Sequence, residues 1–302
     1  MTDPERVADT MAHTGEGPLW HPDEELLYWV DIPAGRLYRY DPAADEHAVA
    51  HETDGAPIGG FTIEADGALL LFTHGAIERF VPGASSSEPV ATVGADTRFN
   101  DVIADPEGRV FAGTMPGADA LGDLYRIDRD GSASVVVPDL DIPNGMGFSL
   151  DEATFYLTES EAHAVYAFDY DRASGGIASR RTLIEVSADD GIPDGLTVDA
   201  DGDIWSARWN GGRVVRHDPA GRTLDAIDLP ARKVSSVAFG GDAYDELYLT
   251  TALTDGDRDT EGAGAGALFR VPDVGVRGRP EFRSRIVAGD GAGTGVDGPG
   301  SD

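Results

Sequence analysis

Residues 194–218 read Asp194-Gly-Leu-Thr-Val-Asp-Ala-Asp-Gly-Asp-Ile-Trp-Ser-Ala-Arg-Trp-Asn-Gly-Gly-Arg-Val-Val-Arg-His-Asp218. A short strand pattern leads into an Asp-Gly turn, then a more apolar strand over 204–207 and a third strand over 213–218. The same plan, with an acidic or Gly-containing turn, occurs six times, and the equivalent first residues are spaced by 43, 41, 44, 50 and 41 positions. Those first residues are Glu16, Gly59, Asn100, Asn144, Asp194 and Ser235. Units of this length built from short strands are typical of propeller blades, so the sequence predicts an all-β, six-bladed β-propeller.

The six units account for residues 15 to about 272. We therefore expect residues 1–288 to form a single propeller domain and the Gly-rich residues 289–302 to form a flexible tail. Residues 6–14 and 281–288 lie outside the units and are expected to supply outer strands that close the ring. A β-sandwich with irregular strand counts is the alternative fold, but it would not explain six matching units.

The chain is strongly acidic, with 55 Asp and Glu against 23 Lys and Arg in 302 residues and a formal net charge of −32. Such a charge repels phosphate backbones and anionic lipid surfaces, so we expect neither nucleic acid nor membranes as partners. Apolar stretches such as residues 68–72 and 135–137 are too short to span a bilayer. The absence of cysteine excludes disulfides, thiolate metal sites and a cysteine nucleophile.

The acidic residues are spread along the chain, which favours a hydrated surface over an acidic binding segment. A dense carboxylate surface stays soluble where salt screens its repulsion, so we interpret the charge as adaptation to a salt-rich cytoplasm. The first twelve residues lack a basic region followed by an apolar core, so no secretory signal is visible and a cytoplasmic location is expected. We expect a monomer or a small homo-oligomer.

The six equivalent first residues predict a site at the centre of the ring, because the innermost strands of a propeller line its channel. Five of the six carry side-chain oxygen atoms, including two carboxylates and two amides. Such donors suit a hard divalent cation such as Ca²⁺, Mg²⁺ or Mn²⁺. Each residue alone also has a simpler interpretation: Asn and Asp before Gly are ordinary turn residues, and Glu16 would be a solvated surface acid. Their coincidence across the repeats favours the site.

Several motifs of the chain resemble those of one known family. They are Gly15-Glu16-Gly-Pro-Leu-Trp, Tyr28-Trp-Val-Asp31-Ile-Pro, Arg98-Phe-Asn100-Asp101, Phe111-Ala-Gly-Thr-Met115, Ile142-Pro-Asn144-Gly, Ile192-Pro-Asp194-Gly and Trp209-Asn210-Gly-Gly-Arg213-Val. As a set they resemble the senescence marker protein, gluconolactonase and luciferin-regenerating-enzyme-like family, to which regucalcin belongs. The resemblance extends from about residue 14 to residue 276.

The resemblance implies a six-bladed propeller with one divalent cation on its axis and the hydrolysis of sugar lactones as its reaction. Ca, Mg, Mn, Zn and Fe are all open as the metal. Carried over position by position, it implies that Glu16, Asn144 and Asp194 are the metal ligands. It also implies that Arg98 and Asn100 contact the substrate, with Asn100 a candidate for contact with the metal or its water.

The chain departs from the family pattern at three places. Ala118, with Asp119 beside it, stands where family members often carry a Glu after the Gly-Thr-Met segment, which leaves the identity of the sugar open. Val102 stands where a Gly usually follows Phe-Asn-Asp. Glu159 precedes Ser160 where an Asp is common, so we expect it to change how its neighbours are held.

The expected reaction is metal-assisted opening of a cyclic ester, with the cation polarising the lactone carbonyl. Asp194 would act as general base toward water, and Arg98 would orient the sugar hydroxyls or the developing carboxylate. Two alternatives stay open: a phosphotriester or aryl-ester hydrolase of the same propeller type, and a non-catalytic Ca²⁺-binding regulatory propeller. The seven histidines show no metal-ligand spacing. The tryptophans are interpreted as blade packing rather than a sugar platform; they are Trp20, Trp29, Trp205 and Trp209.

Overall fold

The computed structural model describes residues 3–95 and 97–286, which form β-strands joined by turns, with one short α-helix and one 3₁₀ turn. In chain order the strands are β1 (Glu5–Ala8), β2 (Gly15–His21), β3 (Leu26–Asp31), β4 (Arg36–Asp41), β5 (Glu46–Glu52), β6 (Gly60–Ile63), β7 (Leu69–Phe72), β8 (Ala76–Phe80), β9 (Glu88–Thr92), β10 (Phe99–Ala104), β11 (Val110–Thr114), β12 (Gly122–Ile127), β13 (Ala133–Leu140), β14 (Pro143–Phe148), β15 (Thr154–Glu159), β16 (Ala164–Asp171), β17 (Gly176–Glu185), β18 (Ile192–Val198), β19 (Ile204–Trp209), β20 (Arg213–His217), β21 (Thr223–Asp228), β22 (Val234–Gly240), β23 (Glu246–Thr251) and β24 (Leu268–Val271). The 3₁₀ turn spans Ala188–Asp190, and helix α1 spans Arg258–Glu261.

The strands form six four-stranded antiparallel sheets, which are the blades of a propeller. The innermost strands are β2, β6, β10, β14, β18 and β22, and each contacts the next, with β22 returning to β2. The six-bladed β-propeller predicted from the repeats is therefore confirmed. The apolar core divides accordingly into six clusters, one between each pair of neighbouring blades, because each sheet buries both faces against its neighbours.

The ring is closed by the N-terminal strand. β1 is the outermost strand of the sixth blade and pairs antiparallel with β24, with Glu5 opposite Arg270 and Arg6 opposite Phe269. The predicted closing role of the N-terminal segment is thus confirmed, with the strand at Glu5–Ala8. The second predicted closing strand is wrong over residues 281–286, which contain only an isolated bridge between Ser284 and Glu64. Residues 287 and 288, and the predicted tail at 289–302, lie outside the described residues.

Residues 277–286 instead run across the end of the channel where the inner strands finish. The carbonyl of Arg277 accepts from the Ala200 amide, and the Ser284 amide donates to Ile63. The Arg285 amide donates to Gly108. These partners belong to the fifth, second and third blades, so this segment ties distant blades together at one end and leaves the opposite mouth of the channel uncovered by it.

Some of the acidic residues are buried in the hairpins rather than spread over the surface. Asp105, Asp199 and Asp218 each accept backbone hydrogen bonds from the residues two and four positions later. This arrangement satisfies amides in tight turns that have no strand partner. Part of the charge interpreted from the sequence as solvating surface therefore serves the fold. Within the described residues, no helix is long and apolar enough to cross a membrane.

Deleting residues 1–9 should destabilise the propeller, because it removes β1 and leaves the β24 edge unpaired. We expect the melting temperature to fall by roughly 5 °C or more. The control is Glu5→Gln with Arg6→Gln, which keeps the strand but loses the Glu5–Arg270 and Arg6–Asp9 ion pairs at the surface, and it should shift the melting temperature by about 1 °C or less. Equal shifts for the deletion and the control would contradict a closing role for the strand.

Candidate functional site

Five of the six inner strands carry a β-bulge where the repeat alignment places its first residue. The pairing register shifts at Glu16/Leu19, Phe99/Val102, Pro143/Met146, Pro193/Leu196 and Val234/Ser236. A bulge inserts an extra residue into a strand and re-aims the side chain beside it. The second blade differs, since β6 pairs with β7 without a shift and its equivalent residue, Gly59, has no side chain. The bulges therefore mark where the strands present side chains toward the axis.

The beginnings of the inner strands surround a pocket of about 290 Å³ at one mouth of the channel. All five residues predicted from the sequence line this pocket, and they are Glu16, Arg98, Asn100, Asn144 and Asp194. Ser235, the sixth-blade equivalent, is not among the lining residues; it is fully buried and donates to the Gly15 carbonyl. Four of the six aligned first residues thus converge on one cavity, with Arg98 added from just before β10.

The glycines after Asn144 and Asp194 serve close packing rather than turns. Gly145 and Gly195 lie inside β14 and β18, and neither has a positive φ. A Cβ on Gly145 would lie 2.6 Å from the Asp194 carbonyl oxygen, and one on Gly195 would lie 2.6 Å from the Ser236 Cβ. The turn interpretation of Asn-Gly and Asp-Gly is therefore wrong here. Glycine instead lets neighbouring inner strands approach each other.

Hydrogen bonds between blades hold the backbone just before Asn144, Asp194 and Glu16. Asn100 Nδ2 donates at 3.1 Å to the carbonyl of Pro143, the residue before Asn144. Ser160 Oγ donates at 2.8 Å to the carbonyl of Pro193, the residue before Asp194. The Ser235 hydroxyl holds the Gly15 carbonyl in the same way, before Glu16. In each case the donor comes from the preceding blade, so the site geometry depends on the packing of the ring.

Arg98 and Asn100 act as a pair on the wall of the pocket. Arg98 Nη1 donates to the Phe99 carbonyl at 2.9 Å and to Asn100 Oδ1 at 3.0 Å. Burial lowers the pKa of Arg98, and the charge of Glu16 partly opposes this effect. Since Asn100 binds Arg98 through its oxygen and Pro143 through its nitrogen, both of its polar atoms have protein partners. This favours a role in holding Arg98.

Asn144 and Asp194 are in direct contact in the pocket. Asn144 Nδ2 donates to Asp194 Oδ1 and, at 3.2 Å, to Ser160 Oγ. Burial raises the pKa of Asp194 well above its usual range, and the charges of Glu16 and Asp101 raise it further. Burial likewise raises the pKa of Glu16 to about 8, again with a contribution from Asp101. The carboxylates thus lie in a low-dielectric environment that lacks enough positive charge to offset them.

The oxygen atoms of the pocket side chains can be compared with the ligands that a metal ion needs. Within residues 3–95 and 97–286, no three Asp, Glu or His side chains form a group that could hold a metal. A cation here would have to combine two carboxylates with amide oxygen. Asn144 is suited to this, because none of the described residues donates to its Oδ1 while its Nδ2 is bound on both sides. Oxygen donors of this kind fit a hard divalent cation.

Comparison with known proteins identifies the family. A family model described as SMP-30/Gluconolactonase/LRE-like region matches residues 14–253. The chain belongs to this family. The pentonolactonase XacC of Haloferax volcanii is 51% identical over 291 residues, which cover 94% of this chain and 99% of that protein.

Solved structures of the SMP-30/gluconolactonase family have the same fold. A calcium-binding regucalcin from Agrobacterium tumefaciens superposes with a TM-score of 0.86 at 25% identity, covering 93% of this chain and 97% of that one. A gluconolactonase from Xanthomonas campestris has a TM-score of 0.73 at 26% identity and covers 89% of each chain. The resemblance seen in the sequence motifs is thereby confirmed.

The structure gives one departure from the SMP-30/gluconolactonase pattern a local role. Glu159 is buried at the end of β15, and its two carboxylate oxygens accept from the amides of Ile142 and Ala162 at 2.9 and 2.8 Å. Asp31 accepts from the amides of His13 and Thr14 in the same way at the end of β3. Ala118 lies on an exposed loop and does not line the pocket.

Trp209 and Ser160 are among the pocket residues that the sequence interpretation missed. Packing accounts for Trp20, Trp29 and Trp205, which are buried between blades, but Trp209 is partly exposed and lines the pocket. Ser160 lines it as well and bonds the site through Asn144. Trp209 ends β19, where it pairs with Ile192 at the start of β18. This strand pairing is the signal that would have located Trp209 beside the pocket.

Gly195→Ala should disrupt the site by forcing β18 and β22 apart. We expect a loss of about 1–3 kcal/mol in the free energy of unfolding, because the added methyl overlaps both side chain and backbone of Ser236. Gly94→Ala is the matched control, since a Cβ there meets no described atom within 4 Å. Urea unfolding of both variants checks this, and an unchanged Gly195→Ala protein would contradict the close approach.

Proposed function

We propose that this protein hydrolyses a sugar lactone, an aldonolactone of five or six carbons, to the aldonic acid with the help of one divalent cation. The observation that carries the proposal is the single pocket that combines Glu16, Asn144 and Asp194 with Arg98 and Asn100. The 51% identical pentonolactonase and the gluconolactonase structure support hydrolysis of a sugar lactone. The pocket of this chain, with a volume of about 290 Å³, suits a molecule no larger than a small sugar.

The residues Glu16, Asn144 and Asp194 fit the cation. The raised pKa values of Glu16 and Asp194 follow from burial and from the charges of neighbouring carboxylates, and a bound divalent cation would offset both effects. Calcium binding by the Agrobacterium regucalcin supports a cation in this fold, but it does not identify the metal for this chain. When bound, such an ion supplies a positive charge that polarises the lactone carbonyl and stabilises the oxyanion that develops there.

Asp194 is the general base of the proposed reaction. Its carboxylate accepts a proton from water as the water oxygen bonds to the lactone carbonyl carbon, and the ring carbon–oxygen bond then breaks. The proton passes to the departing ring oxygen, which becomes a hydroxyl group, and the product carboxyl group releases one proton at neutral pH. The hydrogen bond from Asn144 fixes one oxygen of Asp194 and so orients the other for this task.

Arg98 binds the polar substituents of the substrate. Asn100 and the Phe99 carbonyl hold one guanidinium nitrogen, which leaves the planar group fixed with further N–H donors for sugar hydroxyls or for the carboxylate of the product. Ile32, Ile142 and Ile192 supply apolar surface around the pocket. This combination of one cationic donor group and apolar walls suits a small, polyhydroxylated ring with a polar carbonyl face.

Asp194→Asn should reduce the rate constant kcat for lactone opening by about 100-fold or more, because the amide cannot accept the proton of water. The measurement is proton release from gluconolactone, xylonolactone and arabinonolactone in molar salt, corrected for spontaneous hydrolysis. Addition of a chelator to the wild-type protein should remove the enzymatic rate, and a divalent cation should restore it. Asp169→Asn, at an exposed strand position, is the control and should retain full activity.

Each contrary outcome favours one of the alternatives. If the wild type turned over aryl esters or phosphotriesters but opened no lactone, the alternative of a phosphotriester or aryl-ester hydrolase would be favoured. That enzyme would use the same cation on an ester other than a lactone. Cation binding without turnover of any of these substrates would favour a calcium-binding regulatory propeller. Full lactonase activity in Asp194→Asn would contradict the general base. The salt-rich cytoplasmic setting, the absence of nucleic acid and membrane partners, and the monomeric or small oligomeric state stay predictions.

A further inference from the structure

The chain contains 22 arginines but a single lysine, Lys233. This lysine lies just before β22, and its ammonium group is 2.6 Å from Glu261 Oε1. The two side chains are only 11% and 9% exposed. A charge pair this far out of water is held in place, because separating it would leave each charge in a poorly hydrated environment.

The ammonium group also approaches the pocket wall. Lys233 Nζ lies 5.7 Å from the centre of the Trp209 ring, within the range of a cation–π interaction. Trp209 is the one tryptophan that lines the candidate site. Lys233 therefore has two partners at once, a buried carboxylate and the ring of a pocket residue. A positive charge at this position serves both, because it is attracted by the carboxylate and by the face of the aromatic ring.

The same ion pair fixes a second part of the wall. Glu261 ends helix α1 in the segment that joins β23 to β24, and Thr254 in that segment lines the pocket. The Ala252 amide donates to the Lys233 carbonyl at 3.1 Å, and the Thr254 amide donates to the His13 carbonyl at 2.7 Å. The Lys233–Glu261 pair thus holds the loop that carries Thr254 against the strand that carries Trp209.

We propose that Lys233 is a positioning residue for substrate recognition, which fixes the wall formed by Trp209 and Thr254 through Glu261. The inference deepens the proposed function and rests on it. Trp209 ends β19 and Thr254 lies between β23 and β24, whereas the proposed general base, Asp194, is held by Asn144 from the fourth blade. Lys233 therefore acts on how the sugar ring is bound and not on the proton transfer.

Lys233→Met keeps the apolar stem and removes the charge. For the pentonolactone that the wild type opens, we expect KM to rise about tenfold while kcat stays within about twofold, because binding is impaired and the chemistry is not. Lys233→Arg retains a cation for both partners and should return KM to within about threefold of the wild type. Arg36→Met, which breaks the exposed pair with Glu52, is the matched control and should leave KM unchanged.

A second variant separates positioning from folding. Lys233→Met alone leaves Glu261 as a buried unpaired charge and should lower the melting temperature. Lys233→Met with Glu261→Gln removes both charges and should restore most of the lost melting temperature. The positioning role predicts that KM stays high in this double variant. Recovery of KM together with the melting temperature would contradict it and assign the pair to folding alone.

The single lysine allows a direct readout that does not depend on turnover. Protein labelled with ¹⁵N-lysine has one side-chain ammonium resonance, and saturating pentonate should shift it in the wild type and in Asp194→Asn alike. No shift, together with an unchanged KM in Lys233→Met, would overturn the inference while leaving the proposed function intact. Absence of lactone opening by the wild type itself would instead overturn the proposed function, and this inference with it.

Discussion

The packing of six bulged inner strands around one axis is the constraint on which the rest of the structure depends. The bulges turn Glu16, Asn144 and Asp194 toward the same pocket, and hydrogen bonds from the preceding blades fix the backbone just before each. Gly145 and Gly195 are required because the strands come too close for a side chain. The closure of the ring and the geometry of the site therefore depend on the same packing, to which β1 contributes as the outermost strand of the sixth blade.

This packing has an electrostatic consequence. Burial raises the pKa of Glu16 and Asp194, and the charges of neighbouring carboxylates raise it further. Folding energy alone would disfavour such an arrangement. The proposed divalent cation would offset this cost, since its charge would neutralise the acids and also polarise the lactone carbonyl. Most other carboxylates are explained by solvation or by hairpins such as the one at Asp199.

The sequence was informative where a pattern repeats. Six units with aligned first residues predicted the blades and the convergence of four of those residues, and the motifs added Arg98. Trp209 and Ser160 were not predicted, because their place in the pocket depends on strand pairing and on contacts between blades. The outer strand predicted at 281–288 was also wrong over residues 281–286, which follow no repeat and make long-range contacts. Local periodicity finds elements that repeat, but it does not show what crosses between them.

The central claim is that Glu16, Asn144 and Asp194 form one cation site on the axis. The most direct measurement is the number of divalent cations bound per chain, by metal analysis of protein equilibrated with Ca²⁺, Mg²⁺ or Mn²⁺ in molar salt and then freed of unbound ions. We predict one ion per chain in the wild type and none in Glu16→Gln with Asp194→Asn, provided circular dichroism shows both to be folded. Equal metal content in the two proteins would contradict the account.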